Sequence, residues 1–371
     1  MTQAQTNSLT HTECLSIKAI AIIGIILHNF CHWLPGITHE NEFQFNIQNI
    51  THLNDALSHP DSQLFLHLLS YFGHYGVVIF VFLSGYGLVQ KYEIHPDSSQ
   101  SPPSLLKFIK IHYLKLLILL LPGFFIITLW NLYEYHRYND PLPPLNHIIA
   151  QIGMYINFYP NPGDIINPGP YWFFGMILQL YILYKLIIQK KHWSIPVILI
   201  IFCTTIQLFF NPNSPQLDWM HYNFLGNMLP FGLGILTARH LKIQNILQLS
   251  LQDSNHHTIK EKCLYGFFFV VSSILIYLTS LNYYSWFLTP IFAILASLYL
   301  IKLLPQKAID GLKYPGMISA GLFVFHPIAR RWFVYDAQQG NIAYGLTMYI
   351  AISIIGGIIF TMMWKKINMY R

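Results

Sequence analysis

Two histidines near the start of the chain lie in a segment that is otherwise strongly apolar. Residues 14–34 read CLSIKAIAIIGIILHNFCHWL, and His28, Asn29 and His32 interrupt the aliphatic run. Polar groups are costly inside a bilayer, so those found there usually face a bundle interior and mark a functional site. His28 and His32 are four residues apart, so a helix presents them on one face. Because histidine titrates near neutral pH, the pair is a candidate for general acid–base chemistry.

A second group of reactive side chains lies in the late segment 316–335, GMISAGLFVFHPIARRWFVY. His326 precedes Arg330 by four residues, so the two share a helix face, and Ser319 lies earlier on the same helix. A lone buried histidine is more often structural than catalytic. The Ser and Arg beside it favour the catalytic interpretation, with Ser319 and Arg330 as substrate-binding groups.

Basic residues near the ends of the early segments predict a site for a phosphorylated donor. Lys18 opens the first segment, Lys110 and Lys115 lie in 108–131, and Ser84 lies near the end of 69–90. Lysines at helix ends also snorkel to the membrane surface without any function. Lys115 lies deeper in its segment than a snorkelling residue needs to, which favours a role in lining a cavity.

The composition shows what kind of protein must position these groups. The 371 residues are 54% hydrophobic and 10% charged, whereas soluble domains carry about 25% charged residues. We therefore predict an all-α, polytopic membrane helix bundle that forms a single domain over residues 1–371. The four cysteines show no zinc spacing, so neither disulfides nor a metal are expected. The net charge of +6 is explained by cytoplasmic loops and does not indicate nucleic-acid binding.

About ten segments are long and apolar enough to be spans under a criterion of about 20 residues. Lys and Arg concentrate in alternate loops, for example at Lys190 and Lys191 and again at Lys365 and Lys366. Such residues mark the cytoplasmic side, so both termini are predicted to be cytoplasmic. The predicted segments are 14–34, 69–90, 108–131, 171–189, 194–211, 222–239, 263–281, 285–304, 316–335 and 342–364.

Two segments on the predicted outer side are not plain connectors. Residues 35–62 are polar and rich in histidine, and could form a small cap. Residues 145–158 are too short to span and are interpreted as a re-entrant or interfacial helix. No internal repeat is visible, which counts mildly against a transporter built from inverted repeats.

The ordered set of segments resembles the acyltransferase 3 family of integral membrane acyltransferases. The resemblance rests on LSIKAIAIIGIILHNF, GVVIFVFLSGYGL, LLKFIKIHYLKLLILLLP, YWFFGMILQLYIL, MLPFGLGIL and ISAGLFVFHPI. It covers most of the membrane domain and says little about the substrate. The family's first span carries an Arg and, after ten intervening residues, the presumed catalytic His. In this chain Lys18 takes the first position and Asn29 the second, with His28 one residue earlier.

The resemblance implies an acyltransferase of the bacterial inner membrane that modifies a cell-surface sugar or lipid-linked glycan. The donor would be an acyl-CoA, such as acetyl-CoA, acting as a co-substrate rather than a permanently bound cofactor. His28 or His32 would be the general base, and His326 a further catalytic residue. Lys18, Ser84, Lys110 and Lys115 would bind the donor, and Asn29, Ser319 and Arg330 the acceptor. The alternatives are a transporter or flippase that uses buried histidines as a proton relay, and a non-catalytic paralogue.

Overall fold

The computed structural model describes residues 9–96, 103–239 and 259–369, and their side chains up to residue 363. Within these ranges the regular secondary structure is entirely helical, which confirms the predicted all-α class. The first eight residues and the last two lie outside the described part, so the cytoplasmic location of both termini stays a prediction.

The described residues form seventeen α-helices, with short 3₁₀ and π turns between some of them. The first nine are α1 (His11–Cys31), α2 (Ile47–Ser58), α3 (Leu64–Phe72), α4 (Tyr75–Val89), α5 (Leu105–Tyr138), α6 (Leu145–Ile152), α7 (Pro162–Ile165), α8 (Trp172–Leu183) and α9 (Ser194–Gln207). The others are α10 (Pro215–His221), α11 (Phe224–Ala238), α12 (Ile259–Ser280), α13 (Tyr283–Trp286), α14 (Thr289–Leu303), α15 (Gln306–Met317), α16 (Ser319–Gln338) and α17 (Ile342–Met369).

Six helical stretches of the described chain have the length and apolar composition of a membrane span. They are His11–Cys31, Leu64–Ile94, Leu105–Tyr138, Gly169–Ile188, Ile259–Ser280 and Ile342–Met363. A helix also occupies each of the other four predicted segments, but α9, α11 and α14 have only 14 or 15 residues. In α16, Arg330, Arg331 and Asp336 reduce the apolar character of its 20 residues. The structure thus supports a multi-pass membrane protein without establishing the count of ten.

Helix α1 begins at a well-defined cap and is buried in the centre of the bundle. The hydroxyl of Thr10 accepts from the backbone N–H of Glu13, and the Glu13 carboxylate accepts from the backbone N–H of Thr10. This reciprocal capping box satisfies two of the donors that a helix start leaves unpaired. The same carboxylate forms a buried ion pair with Lys302 of α14, 2.5 Å away. The start of α1 is therefore tied to a distant helix.

The packing of α1 against α4 and against the end of α3 is unusually close because glycines line the contact. A Cβ placed on Gly76 would lie 2.3 Å from the carbonyl oxygen of Ala21, and one on Gly73 would lie 2.7 Å from the Cβ of His28. Neither glycine could carry a side chain without moving a backbone. Helix α1 also packs on α3, α15 and α16, so the residues around His28 are held from several sides.

The two predicted outer segments both contain helices. Residues 35–62 include α2, whose Asn46 side chain caps the first turn. Residues 145–158 include the eight-residue helix α6 and a 3₁₀ turn, Ile156–Phe158.

Candidate active site

A cavity of about 270 Å³ lies at the end of α1, and we name it the histidine cavity. The sequence-predicted residues His28, Asn29, His32 and Arg330 all line it. The structure therefore brings the two first-span histidines together with the arginine of α16, more than 290 residues later in the chain. The remaining lining residues are Ile25, Trp33, Asn41, Glu42, Phe43, Val77, Gly163, Gly169, Pro170, Trp172, Phe173, Tyr222 and Phe323.

One hydrogen bond fixes the orientation of the His28 ring and its neutral tautomer. Nδ1 of His28 lies 2.7 Å from the backbone carbonyl oxygen of Ser70. Because a carbonyl only accepts, Nδ1 must carry the hydrogen, and in the neutral ring Nε2 is then the acceptor. The Ser70 hydroxyl in turn donates to the carbonyl of Thr38. His28 is thus prepared to take a proton on Nε2.

His32 lies next to His28, as the four-residue spacing predicted. The two ring centroids are 5.3 Å apart, and a further 5.3 Å separates the His32 ring from that of His39. On the other side of His28, the His74 ring lies 5.5 Å away. Despite this density of imidazoles, the described residues contain no group of three or more His, Cys, Asp or Glu side chains that could hold a metal ion.

Asn29 of α1 holds Arg330 in position. Nη1 of Arg330 donates to Oδ1 of Asn29 at 2.9 Å, and the guanidinium carbon lies 5.0 Å from the centre of the Trp33 ring. The amide nitrogen of Asn29 donates to the carbonyl of Ile25, 3.0 Å away, so the side chain cannot turn over without losing both bonds. Asn29 therefore anchors a cation beside His28.

A second cavity, of about 440 Å³, lies next to the histidine cavity and reaches Lys18 near the start of α1, and we name it the basic cavity. It is lined by four predicted residues, Lys18, Ser84, Lys115 and Ser319. Ser319, predicted as an acceptor-binding residue, thus lies in a different cavity from Arg330. Lys91 adds to the positive charge, and the deeper wall is mostly aliphatic and aromatic. Its size is typical of small-molecule sites.

Two predicted site residues lie outside both cavities. Lys110 is exposed on α5. His326 is fully buried in α16, and its Nδ1 lies 3.1 Å from the carbonyl of Leu322 in the preceding turn. Its Nε2 has no hydrogen-bond partner among the described residues. His326 lines neither cavity, and its catalytic role stays a prediction.

One wall of the histidine cavity consists of residues that the sequence did not single out. The rings of Phe43 and Tyr222 stack 4.1 Å apart and nearly parallel, and Trp172 meets both edge-on. Beside them lies Glu42, and burial raises the pKa of its carboxyl to about 7. Phe43 and Glu42 come from the polar segment 35–62, whose sequence carries no motif that would have pointed to a site. An aromatic wall with a carboxyl group at its edge fits a polar molecule with an apolar ring face.

Comparison with known proteins identifies the family of the chain. The family model of the acyltransferase 3 domain, described as an acyltransferase domain, matches residues 16–363. No curated protein and no solved structure matches the chain. The matched region includes both cavities and nearly the whole chain. The chain therefore belongs to the acyltransferase 3 family.

Proposed function

We propose that the chain transfers an acyl group, in particular acetyl, from an acyl-CoA donor to a hydroxyl group of a cell-surface sugar or lipid-linked glycan. The observation that carries the proposal is the pair of cavities that meet near His28, one basic and one lined by histidines and aromatic rings. Two substrates of different chemistry can thus approach one base from opposite sides.

The basic cavity fits the donor. Lys18, Lys91 and Lys115 supply positive charge for the phosphates of a coenzyme A, and the apolar depth suits its thioester arm. Lys18 and His28 lie ten residues apart on α1, which is about 15 Å along a helix. The phosphates would therefore bind about 15 Å from the base, and the flexible arm of the donor would cover that distance.

The histidine cavity fits the acceptor. The aromatic wall can cover the apolar face of a sugar ring, while Asn41, Glu42 and Arg330 can bind its hydroxyl groups. In a bacterial inner membrane, the lysine-rich loops would place the basic cavity on the cytoplasmic side. The acceptor would then approach from the outer side, either in water or carried on a membrane lipid.

The chemistry needs one base and one group that stabilises negative charge. Nε2 of His28 would take the proton of the acceptor hydroxyl while that oxygen attacks the thioester carbonyl carbon. Arg330 has five N–H donors, more than Asn29 can accept, and can stabilise the oxyanion that forms. Collapse of the intermediate would break the carbon–sulfur bond, and the thiolate would take the proton back from His28. The proton thus passes from acceptor to donor with no net release.

The test is transfer of label from acetyl-CoA by the protein reconstituted in lipid vesicles, with membrane glycolipid and surface glycan from producing cells as acceptors. We expect His28→Ala to reduce the rate about 10²- to 10⁴-fold, the usual contribution of a general base. His32→Ala should lose less, since the Ser70 bond prepares His28 and not His32. For His326→Gln we expect less folded protein but a similar rate per folded molecule, because its ring is fully buried and lines neither cavity.

Unchanged transfer in both His28→Ala and His32→Ala would contradict the mechanism. If the wild-type protein labels no acceptor while it moves a solute across the vesicle membrane, the transporter hypothesis would replace the proposal.

A further inference from the structure

The two cavities share four lining residues, and these form the wall between them. Ile25, Val77, Phe173 and Phe323 line both the basic cavity and the histidine cavity. They come from four different helices, α1, α4, α8 and α16, and we name them the constriction. All four are apolar, in contrast to the lysines on one side and the histidines on the other.

The constriction lies beside the base. Ile25 precedes His28 by three residues and therefore lies next to it on the same face of α1. The Phe323 ring is 5.2 Å from the Phe173 ring, so these two side chains close the opposite side. A thioester that extends from the basic cavity can meet an acceptor oxygen bound in the histidine cavity only at this point.

One half of the constriction is rigid. Val77 follows Gly76, whose Cα lies so close to α1 that an added Cβ would be 2.3 Å from the carbonyl oxygen of Ala21. Ile25 is 2% exposed and packed in the core, and Val77 is 9% exposed. Gly76 is already in backbone contact with α1, so the two helices cannot move closer together to make room. The methyl groups of Val77 therefore set a fixed boundary.

The other half consists of aromatic rings that are only partly buried. Phe173 and Phe323 pack on each other, and Phe323 also contacts Phe174. These two rings can change their side-chain rotamers to widen the constriction. Ile25 and Val77 do not move, so they limit how far it can widen. The room for an acyl group at the constriction thus depends chiefly on Val77 and Ile25.

We infer that this four-residue constriction selects the acyl group of the donor by its length, with Val77 as the residue that sets the limit. The inference rests on the proposed function, because it assumes that a thioester reaches His28 from the basic cavity. It goes further by assigning donor specificity to apolar residues that bind neither the phosphates nor the acceptor. Short acyl groups such as acetyl pass the constriction, and acyl groups of six carbons do not.

The experiment compares acetyl-, butyryl- and hexanoyl-CoA, with thiol release as the readout and the same glycan extract as acceptor. Val77→Ala removes two methyl groups from the rigid half and should raise the ratio of hexanoyl to acetyl kcat/KM at least tenfold, since one methylene in an apolar pocket is worth about 10- to 200-fold. Val77→Ile adds one methylene and should lower the butyryl to acetyl ratio.

Val78→Ala is the matched control, because Val78 is the next residue on α4 and lines neither cavity. Its donor preference should equal that of the wild type. Size-exclusion profiles of all variants establish that they are folded.

Thiol release that depends on His28 but keeps the same chain-length ratio in Val77→Ala would overturn the inference and leave the proposed function intact. The same ratio change in Val78→Ala would also overturn it, since a general loosening of α4 would then explain the effect. If His28 has no influence on thiol release with any donor, the proposed function fails, and the inference fails with it.

Discussion

The carbonyl oxygen of Ser70 determines which nitrogen of His28 can act as a base. It lies 2.7 Å from Nδ1, so the hydrogen of the neutral ring stays on that atom. Neighbouring Asn29 supplies no base but holds Arg330 at 2.9 Å. The sequence indicates that His28 and Asn29 are adjacent and polar. It could not indicate the tautomer or the partner of Asn29, because both depend on residues far away in the chain.

Glu42 carries a pH-dependent contribution to stability that Glu42→Gln should remove. Burial raises the pKa of its carboxyl from 4.5 to about 7 in the folded protein. Between these values the unfolded chain has lost its proton while the folded chain keeps it, so rising pH destabilises the fold. Above pH 7 the loss of folding stability is complete. We expect it to be about 2 kcal/mol, because one pKa unit corresponds to about 1.4 kcal/mol and the partial exposure of Glu42 reduces the effect.

The measurement is thermal unfolding in detergent at a series of pH values. Glu42→Gln should exceed the wild type in Tm by an amount that grows from pH 5 to pH 7.5 and then stays constant. Asp140→Asn, which removes an exposed carboxylate from the connection after α5, is the control for simple charge loss. A Tm difference that does not change with pH would contradict the burial of Glu42.

At the scale of helices, the contact between α1 and α4 determines the position of the base. Gly76→Ala would place a methyl carbon 2.3 Å from the carbonyl oxygen of Ala21 and force the two helices apart. We expect a destabilisation of about 1–3 kcal/mol, the usual cost of overpacking, together with a loss of acyl transfer because His28 moves. Intrinsic fluorescence during heating measures the first effect and label transfer the second.

Gly87→Ala on the same helix is the matched control, since a Cβ there meets no atom within 4 Å. Alanine is a better helix former than glycine, so this variant should be as stable as the wild type or slightly more stable. Equal stability of Gly76→Ala and Gly87→Ala would show that the close approach of α1 and α4 is not required.

The helices differ in how well the sequence predicts them. All ten apolar segments contain a helix, because an apolar run of this length strongly favours one in a membrane. The short helices α9, α11 and α14 were predicted as longer spans, since hydropathy does not show where a chain turns. Glycine contacts such as Gly76 with Ala21 could be suspected from composition, but their partners are fixed only by packing.

At the scale of the molecule, the two cavities should open on opposite faces of the membrane. We expect a cysteine at position 115, in the basic cavity, to react with an impermeant maleimide only when cells are permeabilised. One at position 41, in the histidine cavity, should react in intact cells. The reason is that lysine-rich loops stay on the cytoplasmic side.

Lys115→Cys and Asn41→Cys should each be made in a parent protein that already carries Cys263→Ser, because Cys263 is the exposed cysteine. The parent alone gives the background from the cysteines that remain. Labelling of both positions from the same face would contradict the arrangement.

Part of the lining of the two cavities could be predicted from the sequence. Six residues of the two cavities stand out in the sequence because a polar side chain is conspicuous in an apolar span. They are His28, His32, Lys18, Ser84, Lys115 and Ser319. Glu42 and Phe43 lie in a polar segment where such residues are ordinary, so nothing distinguished them. The part of a site that a loop contributes becomes visible only after folding.

The constriction has a consequence that concerns the membrane rather than the reaction. If the cavities open on opposite faces as predicted, the insulating layer between them is only as thick as four apolar side chains, Ile25, Val77, Phe173 and Phe323. Apolar constrictions of this kind resist ion passage because water does not wet them. In the proposed arrangement, the side chains that would face the thioester would also block ion leakage across the membrane, and we expect a polar residue among them to let ions pass.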